Sequence, residues 1–287
     1  SSAASDVYKR QLIDQAVALG NPFAASPLVY YYKAYVCLLE GNRGDAGAQL
    51  EKANSLSHIN QYPLRIEEVK MFDTLTAAFA DNAFLHYHYG NLLYYIGQKE
   101  HGLAEWTRST ELDGTFAVAL RNVGFAYGQK GEWQKAMGYY DRAIKANPDD
   151  ALLFTESDKI YESANVDAAA RLKRLESNIK TVMKHDDAVM RLLSLYNVTG
   201  KYDKAIQIMH NRHFHLWEGG GQIHGIYADS HMLKGMTLLA KKNYQKAIQE
   251  FDLATQYPAN LEVAPSYRGG YDCLLYTSPS PRDLSTS

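Results

Sequence analysis

The chain has 287 residues, with 30 Lys and Arg against 32 Asp and Glu, a formal net charge of −2, and 46% hydrophobic residues, among them 22 tyrosines. This balance offers no surplus of positive charge to a phosphate backbone or an anionic bilayer, so nucleic acid is not an expected partner. No apolar run approaches the roughly 18 residues of a membrane span, and two cysteines without CxxC or paired-ligand spacing build no disulfide framework.

The first eleven residues, "SSAASDVYKRQ", fit the in-frame translation of a transposon-end adapter used to prepare DNA for sequencing. Residues 273–287, "CLLYTSPSPRDLSTS", fit the partner adapter. Both ends are read as adapter artefacts without folded structure and set aside. The expected domain is therefore 12–272, an internal piece of a longer protein in which Cys37 is the only thiol.

From there the chain repeats itself. A frame begun at Pro27 places Ala34, Ala46, Leu50 and Ala53 at positions 8, 20, 24 and 27, a weak copy over 27–60. The spacing in "EEVKMFDTLTAAF" predicts a further helix. A frame from Ala83 puts Gly90 at 8, Gly102 at 20 and Trp106 at 24, covering 83–116. The next copy, 117–150, has Leu120, Val123, Gly124 and Tyr127 at 4, 7, 8 and 11, then Ala136, Tyr140, Ala143 and Pro148 at 20, 24, 27 and 32. Small residues at 8 and 20 suit two antiparallel helices that cross closely, aromatic side chains fill the space beside them, and proline stops the second helix. "LLFTESDKIYESANVDAAARLKRLESNIKTVMKH" is helical by apolar spacing and is read as longer than one repeat, a distortion of the array. A weak copy over 186–212 carries Leu192, Tyr196 and Ala205, and a clear one over 228–258 carries Gly235, Ala247, Phe251 and Ala254.

This pattern resembles the tetratricopeptide repeat. The resemblance implies an all-α, right-handed helical-repeat solenoid with little or no sheet, in which each hairpin buries its apolar face against the next. In such a stack the first helix of each repeat lines a concave groove. Its candidate residues are Tyr87, Asn91 and Tyr94, flanked by Phe84, then Arg121 and Phe125, then Arg191 and Asn197 with Asp187 and Ser194. Tyrosine, asparagine and arginine suit a peptide or an oligosaccharide. Packing of these aromatics on an adjacent helix is the open alternative.

"MHNRHFHLWEGGGQIHGIY", residues 209–227, interrupts the last two repeats. Its triple glycine lets the backbone turn, so Phe214, Trp217, Glu218, Gly219 and Gly220 form a candidate loop site. His210, His213, His215 and His224 match no standard ligand spacing, and no metal or cofactor is assigned. Catalysis is not expected either. Glu156 and Asp158 lie two apart on a helix and diverge, as do the adjacent Glu67 and Glu68, and no nucleophile elbow, phosphate loop or HExxH occurs.

"YPLRIEEVKMF", "YHYGNLLYYIGQKEHGLAEW", "LRNVGFAYGQKGEWQKA", "LFTESDKIY", "RLKRLESN", "RHFHLWEGGG" and "YPANLE" resemble, in order, the motifs of large bacterial proteins carrying domain of unknown function 5107. Leu216 stands where relatives usually have proline, and Gly221 where they have an acidic residue. The resemblance implies a β-rich domain upstream, of the sort found in carbohydrate-processing proteins. It also marks Arg65, Glu67, Arg121, Asn122, Glu156, Asp158, Phe214, Trp217, Glu218 and Gly219. The expected function is a non-catalytic scaffold for a protein segment or for the chain's own upstream domain. The alternative is an accessory module of a carbohydrate-active enzyme whose catalytic groups lie upstream.

Overall fold

The computed structural model describes residues 15, 26–58, 61–215 and 222–262. Both adapter-like ends, 1–11 and 273–287, lie outside these. The chain divides between Asn147 and Pro148 into two compact units. The first holds α1 (Pro27–Leu39), α2 (Arg43–Asn54), α3 (Glu68–Ala78), α4 (Ala83–Tyr95), α5 (Lys99–Leu112), α6 (Ala117–Gln129) and α7 (Trp133–Ala146). The second holds α8 (Ala151–Ser163), α9 (Ala168–Ser177), the single turn α10 (Ile179–Val182), α11 (Asp186–Val198), α12 (Tyr202–Asn211), α13 (Ile223–Ala240) and α14 (Tyr244–Ala254). Among the described residues there is no strand, only an isolated parallel bridge from Phe214 to Leu261. The all-α helical-repeat fold expected from the period is the fold observed.

The repeat residues do what their sizes allow. A Cβ built on Gly90 would overlap the indole of Trp106, one on Gly124 would come within 2.9 Å of the Tyr140 ring, and one on Gly235 would overlap Phe251. Three glycines at position 8 thus face three aromatic rings at position 24, and α4/α5, α6/α7 and α13/α14 pack as close antiparallel pairs. Side-chain caps start the helices: Asn82 Oδ1 accepts from the backbone of Phe84 and Leu85, and Asp150 Oδ1 from that of Leu152.

The turn inside each hairpin is also periodic. Gly41, Gly97, Gly131 and Gly200 have φ between +74° and +90°, and among the described residues the non-glycine ones with positive φ are Asn165 and Lys242. Each is the fifteenth residue of its frame. A left-handed residue ends the first helix so that the chain can reverse, which favours glycine and, after it, asparagine.

Asn165 is the fifteenth residue of a frame begun at Ala151, in which α8/α9 is the hairpin; Ala151 to His185 is 35 residues, one more than the 34-residue repeat, and includes the extra single turn α10. The small-residue signature is missing because Asp158 occupies position 8. Its buried carboxylate accepts from Arg171 Nε (2.9 Å) and Nη2 (2.8 Å) on α9. It also accepts from Arg191 Nε (2.7 Å) on α11, and both arginines reach Glu162 as well. An ionic clasp replaces the close apolar crossing, and α8 and α9 pack less tightly than the glycine-bearing pairs.

In the first unit, α3 is the extra helix between two hairpins and packs on α1 and α4. Buried Glu68 fixes its start: Oε2 accepts from the backbone of Leu64 and Arg65 at 2.9 Å each, and Oε1 accepts from Tyr32 Oη. Behind it lies a buried imidazole pair. His58 Nδ1 and His88 Nε2 are 2.9 Å apart, His58 stacks on Phe84 with centroids 4.0 Å apart, and Tyr31 and Tyr87 meet His88 edge-on. Burial pushes the His58 pKa down to about 4 and holds that of His88 well below the ordinary value, with His58 adding to the effect on His88. An unfolded chain takes up these protons near the ordinary imidazole pKa of about 6.5, whereas the folded one does not until far lower pH. Stability of this unit is therefore complete above pH 6.5 and declines as pH falls toward 4. We expect a loss on the order of 2 kcal/mol across that window. Urea titrations followed by tryptophan emission in a Trp217→Phe background check it, and His88→Gln should flatten the dependence.

Candidate functional site

The groove residues separate by burial. Tyr87 is 1% exposed and belongs to the core with Leu103, Trp106, Ala119 and Val123, under the ring of Phe116. Asn91 is buried as well, and its Oδ1 accepts from Trp106 Nε1 at 2.9 Å and Asn122 Nδ2 at 3.0 Å, tying α4 to α5 and α6. Neither side chain lines a groove. Stacking of the next hairpin covers position 5 of the first helix, the open alternative of packing on a neighbour. Burial raises the pKa of Tyr87, an effect opposed by its contact with Asn91.

What remains at the surface of the first unit is a narrower aromatic ledge. Tyr94 is half-buried, its ring stacked on Trp106 at 4.7 Å and meeting Phe125 edge-on at 6.2 Å. Phe125, on α6, is 43% exposed, a large value for a phenylalanine flanked by helices. Half-buried Arg121 lies one helical turn before it. Burial, and then the Glu100 carboxylate, raise the Tyr94 pKa. Lys99 Nζ sits 5.8 Å from the Tyr94 ring centroid, so the ledge is apolar in its middle and cationic at its margins.

In the second unit the candidates are structural links. Arg191 belongs to the Asp158 clasp. Asn197 is buried; its Nδ2 donates to the Ile226 carbonyl and its Oδ1 accepts from Ser230 Oγ at 2.8 Å, joining α11 to α13. Phe214 is fully buried beneath the Arg212 guanidinium rather than displayed on a loop. Trp217, Glu218, Gly219 and Gly220 lie outside the described residues. Of the positions marked by the family resemblance, Arg65 and Glu67 are exposed beside buried Glu68, Glu156 is half-buried, and Asn122 bonds to Asn91.

One grouping has no counterpart in the sequence pattern. His213 and His215 both reach the same carboxylate oxygen of Glu262, at 2.9 and 3.2 Å. The other histidines of that segment go elsewhere: His224 stacks on Tyr257 and bonds to the Gln256 carbonyl, and His210 is exposed. Local spacing of histidines cannot reveal a carboxylate 47 residues farther on.

Residues 117–150 and 228–260 match family models of the tetratricopeptide repeat, so the chain carries repeats of that class. Among solved structures it is similar to YrrB, described as a tetratricopeptide-repeat protein with an unusual peptide-binding site. That match has 20% identity over 65% of this chain and 91% of YrrB, with a TM-score of 0.49. It is also similar to the C-terminal part of a repeat protein from Cytophaga hutchinsonii, with 13% identity, 90% and 98% coverage and a TM-score of 0.49. A tetratricopeptide repeat protein from Parabacteroides merdae is 14% identical, with 95% and 93% coverage and a TM-score of 0.41. No described helix is long and apolar enough to cross a membrane.

Proposed function

We propose that this chain is a non-catalytic scaffold, part of a larger bacterial protein, whose helical hairpins hold an apolar segment of a protein partner. The first candidate partner is the upstream β-rich domain that the family resemblance implies. The observation that carries this reading is the Tyr94 and Phe125 ledge, two first-helix aromatics in edge contact with Phe125 open to solvent. Such rings provide contact area at low cost in side-chain entropy, and arginine beside them can hold a peptide carbonyl or carboxylate.

The test is a peptide-display selection against the purified chain. Because Tyr94 rests on the indole of Trp106, a bound peptide should shift tryptophan emission. Phe125→Ala is expected to weaken selected peptides by at least about tenfold, the loss typical of an aromatic anchor, with an unchanged far-UV spectrum. Peptides that bind Phe125→Ala as well as the parent chain would rule out the ledge as the binding surface. An emission change with oligosaccharides but not with peptides would favour the accessory glycan-binding alternative.

A further inference from the structure

His213, His215 and Glu262 stand where two extended segments of the second unit run side by side. Around Phe214 the backbone is extended, so the residues on either side of that buried ring point the same way, outward. Phe214 N donates to the Asn260 carbonyl at 2.9 Å, and Glu262 N donates to the Phe214 carbonyl at 3.2 Å. This short ladder brings Glu262 opposite the two histidines.

The frame beneath them is fixed from several directions. Asn260 Nδ2 donates to the carbonyls of Met209 and Arg212 at 2.7 and 2.8 Å. Arg212 is held in turn by Asp186 Oδ1 and the Met183 carbonyl, both at 2.8 Å. The Arg212 guanidinium is thereby committed to Asp186 and the Met183 carbonyl.

From this arrangement we infer a divalent metal site of the His, His, carboxylate type, with Zn²⁺ as its ion. One ligand atom from each residue lies within 4.8 Å of the other two, and the contacts to Glu262 Oε1 are 2.9 and 3.2 Å. Zinc with bonds of about 2.0–2.2 Å at tetrahedral angles sets its ligand atoms roughly 3.3–3.6 Å apart. The two contacts to Glu262 need to open by only a few tenths of an ångström to reach that spacing, while the two imidazole nitrogens already lie within 4.8 Å of each other. Two imidazole nitrogens and one carboxylate oxygen are a borderline-soft set that suits zinc over calcium or magnesium. Side-chain exposure of 47%, 37% and 28% leaves an outward coordination position to water or to a group from a partner. Bound metal would staple the segment after α12 to the segment after α14, fastening the ends of the last two hairpins of this unit to one another.

The measurement is calorimetric titration of zinc into metal-stripped full-length chain prepared without a polyhistidine tag. One zinc per chain is expected. His213→Gln, His215→Gln and Glu262→Gln should each weaken binding at least about tenfold, as loss of a ligand-shell member does. His101→Gln, an exposed histidine in the other unit, should leave it unchanged. Cobalt should give the visible absorption of a low-symmetry site. As a check independent of any variant, imidazole proton–nitrogen spectra of the unmodified chain should shift at His213 and His215 on zinc addition. Absence of a zinc isotherm, equal affinity in the three variants, or zinc-induced shifts at other histidines would each overturn the assignment.

Discussion

Asp158→Ala is expected to destabilise the second unit by about 3–5 kcal/mol, the cost of stranding a buried charge without its partner. The carboxylate is 1% exposed and takes hydrogen bonds from two arginines on two other helices. Without it, buried Arg171 keeps only Glu162, at 3.1 Å and half-exposed, and solvent screens that contact. Arg191→Ala should cost less, because its side chain already has access to water. A double change, Asp158→Ala with Arg171→Leu, should recover part of the loss, since an apolar pair of similar volume can replace a buried ion pair at little net cost. Urea unfolding monitored by circular dichroism orders the three. If Asp158→Ala fell within 1 kcal/mol of the parent, roughly the range of an exposed pair, the clasp would not be what holds α8, α9 and α11 together.

Gly102→Ala should destabilise the first unit by roughly 2–4 kcal/mol, in the upper range of core overpacking. The added methyl would lie 2.8 Å from the backbone nitrogen of Tyr94 and 2.9 Å from the Gly90 carbonyl oxygen. Backbone atoms cannot rotate aside as a ring can, so α4 and α5 must separate, and the Trp106 to Asn91 bond goes with their contact. Against this stands the gain in helix propensity of about 1 kcal/mol for alanine over glycine. Gly138→Ala isolates that gain, because nothing lies within 4 Å of the place its new methyl would occupy on α7. The two substitutions should move the melting temperature in opposite directions. A shared upward shift would mean that the α4/α5 crossing has room to spare.

The hairpins were legible wherever glycine or alanine met an aromatic sixteen residues later, as Gly90 meets Trp106 and Gly124 meets Tyr140. They were illegible at 152–185 because the pattern records small residues, and Asp158 solves the same crossing with charge and length. The groove was half legible. Helix phase places Tyr87 and Asn91 on the outer side of α4, but whether an outer side stays open depends on the next hairpin, whose Phe116 and Asn122 close over them. Tyr94 and Phe125 lie beyond that cover. The grouping at Glu262 was out of reach, since a ladder between residues 214 and 261 leaves no periodic trace in either segment.

The left-handed residue at the hairpin turn outlasts every other mark of the period. In the α8/α9 pair, where glycine, aromatic and close crossing have all been replaced, Asn165 still turns at φ 56°, and in the last pair Lys242 does so at 60°. Side chains at a crossing can be exchanged for any set that fills the gap, but a chain that must double back within three residues has few backbone shapes available. Within this chain the repeats thus differ freely in how they fill a crossing and hold to one backbone shape where they reverse, so the turn marks the period more steadily than the packing does.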